Sequence, residues 1–369
     1  MQVVASSRWL RSEVFPSVDV SGREHLVIVT KGAWSLPQAG QRPRPIEPPP
    51  IAWSDEHYGE PGLSAVRYPC DAVRFKPSCD VLFDAHAHAP GGKAVPALMV
   101  EARVAGMTKR LKVWGRRRWQ RFLMSYEASA PEPFTSMPLH FGMAFGGTRN
   151  SVSAIGEEDA EVFDDNPVGL GWAGRRTIRQ AKDQPMPCLE SLERAVRSPE
   201  DTAPACALSA LPLYHPSRQR HAGTYDEAWR RDVFPFLPED FNDLFHQSAP
   251  EDQRIPYPVG GEEVALTHML EGQPHLRFTL PALDQLQIRV LRKDYGIEQP
   301  RAQVDTLFFE TEARRMTAVW RASVPIRRRI QEFDTIAIGP VDEAWWRARS
   351  LGLEDAHCAG CGPAVGTPP

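Results

Sequence analysis

The chain of 369 residues carries 35 prolines and 26 glycines, so long helices do not organise it, while 42% apolar and 24% charged residues suffice for a large core and exclude global disorder. With 43 basic and 47 acidic residues the net charge is −4, which gives no overall attraction to nucleic acid or anionic lipid. No run approaches the roughly 20 apolar residues of a bilayer crossing, the first residues lack a signal-peptide pattern, and six cysteines are sparse for a disulfide scaffold. The expectation is a cytoplasmic protein with reduced thiols.

In chain order, HLVIVTKGAWSL, residues 25 to 36, is an apolar run that opens after Ser21-Gly22 and stops at Pro37, which predicts a strand. A proline-rich extended connector follows over 38–50, and then a polar, turn-rich segment. Phe83, Ala85, Ala87 and Ala89 alternate with Leu82, Asp84, His86 and His88, the period of a half-exposed strand. Residues 97–123 predict two or three strands with turns near Gly106 and Gly115-Arg116, Leu111 and Val113 facing inward. A Pro/Gly-rich middle, about 130 to 223, has little periodicity and reads as packed irregular structure. Thr224 and Glu227 have capping-box spacing ahead of one short helix that ends before Pro235.

The segments 275–283, 286–293, 305–311 and 314–324 return to strand, the last two as a hairpin around Glu312-Ala313-Arg314. From Trp346 patterning fades, as in a flexible tail over 346–369. The expected fold is mainly β: two packed antiparallel lobes, sandwich-like, with few short helices, the main domain spanning 1–345 with lobes at 1–150 and 200–345.

Three constellations bear on chemistry. Asp84-Ala-His86-Ala-His88 places two imidazoles on one face of a strand, where they can share a metal, and resembles the first metal-binding strand of amidohydrolase-type barrels. A metal-dependent hydrolase on Asp84, His86 and His88 is the alternative function. The short strands and scarcity of amphipathic helices after His88 disfavour the eight-unit barrel it needs, and two hydrogen-bonded histidines on a sheet surface carry more weight. Cys358 and Cys361 form half of a zinc site without a second pair of ligands at knuckle spacing.

From Lys109 to Arg121, seven basic residues, among them Lys112, Arg116, Arg117 and Arg118, interleave with Trp114 and Trp119. Arg and Trp favour a protein partner over nucleic acid in a chain with no nucleic-acid motif. Asp55, Glu56, Tyr58, Arg67, Lys76 and Asp80 are further candidates for an exposed contact surface, alongside His86 and His88. No catalytic set, cofactor or membrane partner is assigned.

The blocks WSDEHYGEPGLSAVRYPCDAVRFKPSCDVLFDAHAHAPGGKAV, MPLHFGMAFGG, NPVGLGW, GTYDEAWRRDVFPFLPEDFNDLFHQSAPEDQR and DTLFFETEARRMTAVWRASVPIR, in this order, resemble a bacterial domain-of-unknown-function family. That family is tied to type VI secretion and encoded beside VgrG spike and PAAR-tip effector genes. The resemblance implies a non-enzymatic cytosolic adaptor or chaperone that binds a secretion effector and helps load it onto the VgrG/PAAR spike. It carries over no catalytic residues.

Overall fold

In the computed structural model, which describes residues 1–38, 40–152, 158–174 and 178–353, the apolar run before Pro37 forms the strand Glu24–Ser35. Residues 26 to 33 of it are all buried. Successive strand residues point to opposite faces, so an unbroken buried run means that both faces are covered. The same two-sided burial marks Cys79–Asp84, Gln303–Glu310 and most of Arg315–Pro325. These strands build a seven-stranded sheet in the order Arg254–Ile255, Cys79–Asp84, Gln303–Glu310, Arg315–Pro325, Glu24–Ser35, Leu10–Val18, with Pro45–Ile46 added against Glu24–Ser35. Its pairings are antiparallel except that of Cys79–Asp84 with Gln303–Glu310, which is parallel and sets Asp84 beside Glu310.

A five-stranded sheet, ordered Leu189–Ser191, Met107–Trp114, Ala97–Val104, Glu263–Thr267, His275–Thr279, behaves differently. Its strand Met107–Trp114 alternates, with Met107, Lys109, Leu111 and Val113 inward, as a sheet with one wet face must. The main core lies between these two sheets and includes Val81, Phe83, Leu307, Phe309 and Trp320 with Val100, Val104, Leu111, Val264 and Leu276. Phe83 and Phe309 stack at 5.1 Å between ring centroids, and each buried side chain of this size contributes roughly 1.5–3 kcal/mol through removal from water. A four-stranded sheet, Gln2–Ala5, Phe333–Ile338, Ile288–Arg292, Ile297–Glu298, packs Ile288, Val290, Phe333 and Ile336 against Leu26, Ile28 and Val324 as a second core.

The fold is therefore mainly β and layered. The division into lobes at 1–150 and 200–345 does not follow the sheets, because the central sheet interleaves strands from both halves of the chain. The hairpin around 312–314 forms as expected, with Arg314 in the left-handed region at φ 47°. The short helix before Pro235 is Glu227–Asp232, but its cap is Asp226, which accepts from the Trp229 amide, while Thr224 bonds Asp240. Patterning does not end at Trp346. The helix Glu343–Ser350, capped by Asp342, buries the Trp346 ring beside Leu291, Ala337 and Val341. No helix among the described residues is long and apolar enough to cross a membrane.

Candidate functional site

The outer face of the seven-stranded sheet is unusually polar for a covered surface. Lys31, Asp71, Lys76, Asp80, Asp305, Thr306, Glu310 and Arg321 are all buried there, beneath irregular segments of the 47–78 and 207–257 regions. At its centre Lys76 Nζ donates to Asp80 Oδ2 and Thr306 Oγ1, both at 2.9 Å. Asp80 also accepts from Gln247 Nε2 at 2.6 Å and the Ser248 amide at 2.9 Å. Burial alone would raise the Asp80 carboxyl, but Lys76 and these donors together hold it below its ordinary value. Beside it, Arg321 Nε meets Asp305 Oδ2 at 2.5 Å and its Nη1 donates to the carbonyls of Asp71 and Val73.

A second cluster occupies the end of the parallel pair. Asp84 accepts from Tyr58 Oη at 2.7 Å and from Arg67 Nε at 2.8 Å. Glu310 accepts from Tyr68 Oη at 2.8 Å and from Nε and Nη2 of Arg315. Each carboxylate is thus closed by one phenol and one guanidinium. Burial, then the neighbouring carboxylate, pushes both phenols well above their usual range, so they remain donors at neutral pH. His140 stacks on the Tyr58 ring at 4.2 Å and accepts the Gly142 amide on Nδ1. Burial, reinforced by His86, pushes its pKa down to about 4.

Past Ala85 the chain forms the strand His86–His88, paired with Ser136–Pro138. Ala85, Ala87 and Ala89 face the core while both histidines are half-buried, as the alternation predicts. His88 Nε2 lies 2.7 Å from Glu312 Oε1, and His86 Nδ1 lies 3.8 Å from the same oxygen. Both Asp84 oxygens are engaged by Tyr58 and Arg67, which leaves the carboxylate anchored as an acceptor rather than open toward the imidazoles. Among the described residues no group of three His, Cys, Asp or Glu side chains is arranged to hold a metal ion.

Over residues 21–321 the sequence matches the family described as an uncharacterized protein conserved in bacteria (DUF2169). The chain belongs to this family. No curated protein and no solved structure matches it. The DUF2169 match takes in both polar clusters but leaves out the strands Gln2–Ala5, Leu10–Val18 and Phe333–Ile338.

Of the residues expected to form an exposed contact surface, this DUF2169 chain keeps Glu56, Arg67, Arg116 and Arg118 exposed. Asp55 is half-buried, with Oδ1 accepting the Cys70 amide at 2.8 Å. Lys76 and Asp80 are not at the surface: at 3% and 0% exposure they form the central buried pair, because the 247–248 segment covers that end of the sheet. Arg117 is likewise buried, donating to Glu190 Oε1 at 2.7 Å while its guanidinium lies 4.5 Å from the Trp114 ring centroid. Trp114 donates to the other Glu190 oxygen, and Lys112 Nζ caps the ring at 4.0 Å. The basic run is therefore split between interior and surface, and Lys109 turns inward to Asp252 and Gln253. Cys358 and Cys361 lie outside the described residues.

Sequence reasoning passed over Asp305, Arg321, Arg218 and Gln247. The available signal was a charge inside an apolar strand, as in AVWRASV: a side chain like Arg321 in that position must find a buried partner.

Proposed function

We propose that the protein is a non-enzymatic adaptor that binds a type VI secretion effector and helps to load it onto the VgrG/PAAR spike. One observation carries the binding part of this reading. The hairpin Trp119–Phe122 and Ser125–Ala128 ends in an apolar tip where Phe122, Leu123 and Met124 are 53%, 81% and 100% exposed. Leu123 stands at φ 53°, in a two-residue turn position that favours Asn or Gly, and holding a leucine in the left-handed region costs about 1–2 kcal/mol. An apolar side chain kept at a backbone cost, in water, fits a contact with another chain.

The base of the hairpin is fixed. Trp119 is buried and donates through Nε1 to the Gly171 carbonyl at 2.7 Å, and the Ser129 hydroxyl accepts the Arg118 amide. Arg121 is exposed beside the tip and Arg116 and Arg118 are exposed at the base, and none has a carboxylate within ion-pair distance among the described residues. The partner surface that fits is an apolar groove with an acidic rim. The family resemblance supplies the effector as occupant.

Co-expression with the effector and spike proteins encoded beside the gene tests this. The wild type is expected to co-purify with one of them and keep it soluble. The variant Phe122→Ser/Leu123→Gly/Met124→Ser is expected to lose at least tenfold in recovery while its thermal midpoint stays level or rises, since glycine suits a turn whose first central residue alone has positive φ. The reading fails if neither partner associates at low or moderate salt, or if the variant captures as much as the wild type.

A further inference from the structure

A cavity of about 380 Å³ opens between the 54–55, 69–73, 213–218 and 245–248 segments. Its volume lies within the range of small-molecule sites. Pro69, Val73, Leu213 and Phe245 give it largely apolar walls, and Arg218 lines it as well.

Arg218 is the unusual group. It is 3% exposed, yet no carboxylate lies within ion-pair distance of it among the described residues. Two nitrogens are fixed by backbone, Nε by the Phe245 carbonyl and Nη1 by the Leu211 carbonyl, both at 3.0 Å. Nη2 has no hydrogen-bond partner among the described residues. A buried guanidinium is costly unless it is paired, and its planar fork suits a carboxylate. The nearest candidate in the wall, Asp55, spends Oδ1 on the Cys70 amide and forms no ion pair with Arg218.

We infer that this cavity binds a carboxylate borne on an apolar body, with the Arg218 guanidinium as the anchor for the anion and Val73, Leu213 and Phe245 around the apolar part. The surrounding field has the same sense. His246, in the same wall, has its pKa pushed down to about 3, first by burial and then by Arg218, Arg321, Lys76 and Arg74. At His246 these four cations add to burial in opposing a further proton, and Asp55 is the one carboxylate among the lining residues. This binding is separate from the hairpin contact and does not depend on it.

Calorimetric titration of the full chain tests the inference with octanoate against octanamide, and with a short peptide ending in leucine as free acid against its C-terminal amide. A saturable sub-millimolar complex with at least one acid is expected, with its amide at least tenfold weaker. Octanoate alone would identify a small amphiphile, and the peptide acid a chain terminus; either supports the site. Arg218→Lys should weaken the acid at least tenfold. Because Arg218 also ties down two carbonyls, Val73→Trp provides a second variant that fills the cavity and keeps the guanidinium, and it should abolish binding. Equal binding of acid and amide, no binding of any probe, or wild-type affinity in Val73→Trp would overturn the assignment.

Discussion

Replacing Asp80 with alanine is expected to lower the unfolding free energy by about 3–5 kcal/mol, the range for removing one partner of a buried ion pair. The residue is fully buried, and its loss strands more than Lys76 Nζ. Gln247 Nε2 and the Ser248 amide and hydroxyl lose their acceptor too. Lys76 keeps only Thr306 Oγ1 as a side-chain acceptor, a neutral group that cannot offset a buried ammonium. The double variant Lys76→Met/Asp80→Leu removes both charges and should recover part of the loss, because an apolar pair avoids the desolvation that the ion pair incurs. Urea unfolding of the three proteins gives the comparison. A single-variant loss below about 1 kcal/mol, the level of an exposed pair, would mean that water reaches the pair.

That ion pair also marks where the sequence stops being legible. The long strands could be read because an apolar run such as HLVIVTKGAWSL between turn signals has few alternatives, whereas the alternation over 82–89 separated core-facing alanines from half-buried histidines only past Ala85, since Leu82 and Asp84 are buried on the covered outer face. The short strand Gln2–Ala5 and the nine-residue edge strand Leu10–Val18 could not. The first depends on parallel pairing with Phe333–Ile338 at the other end of the chain, and the second mixes Arg11, Ser12, Glu13 and Pro16 into an edge. Lys76 and Asp80 looked like surface residues because their types usually are. What buries them is a cover from residues 247–248, and no local pattern near residue 80 announces that contact.

The two polar clusters have a common consequence for function. Asp84 and Glu310 end adjacent parallel strands, and each is closed by a tyrosine and an arginine, three of which, Tyr58, Arg67 and Tyr68, come from the 55–80 segment. This arrangement fastens that segment to the sheet end. Groups so occupied serve to fix a surface rather than to exchange protons or ligands. The exposed apolar hairpin tip and Arg218, which has no carboxylate within ion-pair distance among the described residues, lie outside both clusters, and both suit recognition of another molecule.

Acidification from pH 7 to pH 4 is expected to cost about 3 kcal/mol of stability for each of His140 and His246, on the scale of 1.36 kcal/mol per unit of pKa difference. Burial is the first cause of both depressed values, about 4 for His140 and about 3 for His246. His86 adds to it at the first site, where Asp84 opposes, and four cations add to it at the second. Near the unperturbed value of about 6.5 the unfolded chain begins to take up protons that the folded chain refuses. Stability is therefore full above that pH, falls through the window below it, and stops falling on this account once the folded-state values are passed. The depressed carboxyls act lower: Asp19, at about 2, loses its contribution only as the pH falls beneath the ordinary aspartate range. Urea midpoints measured between pH 7 and pH 4 should thus decline steeply in the wild type. In His246→Phe, whose new ring sits among Phe241 and Phe245, the decline should be about half as steep. An unchanged slope in that variant would show that His246 titrates normally in the folded protein, and that the cationic wall around it is screened by water.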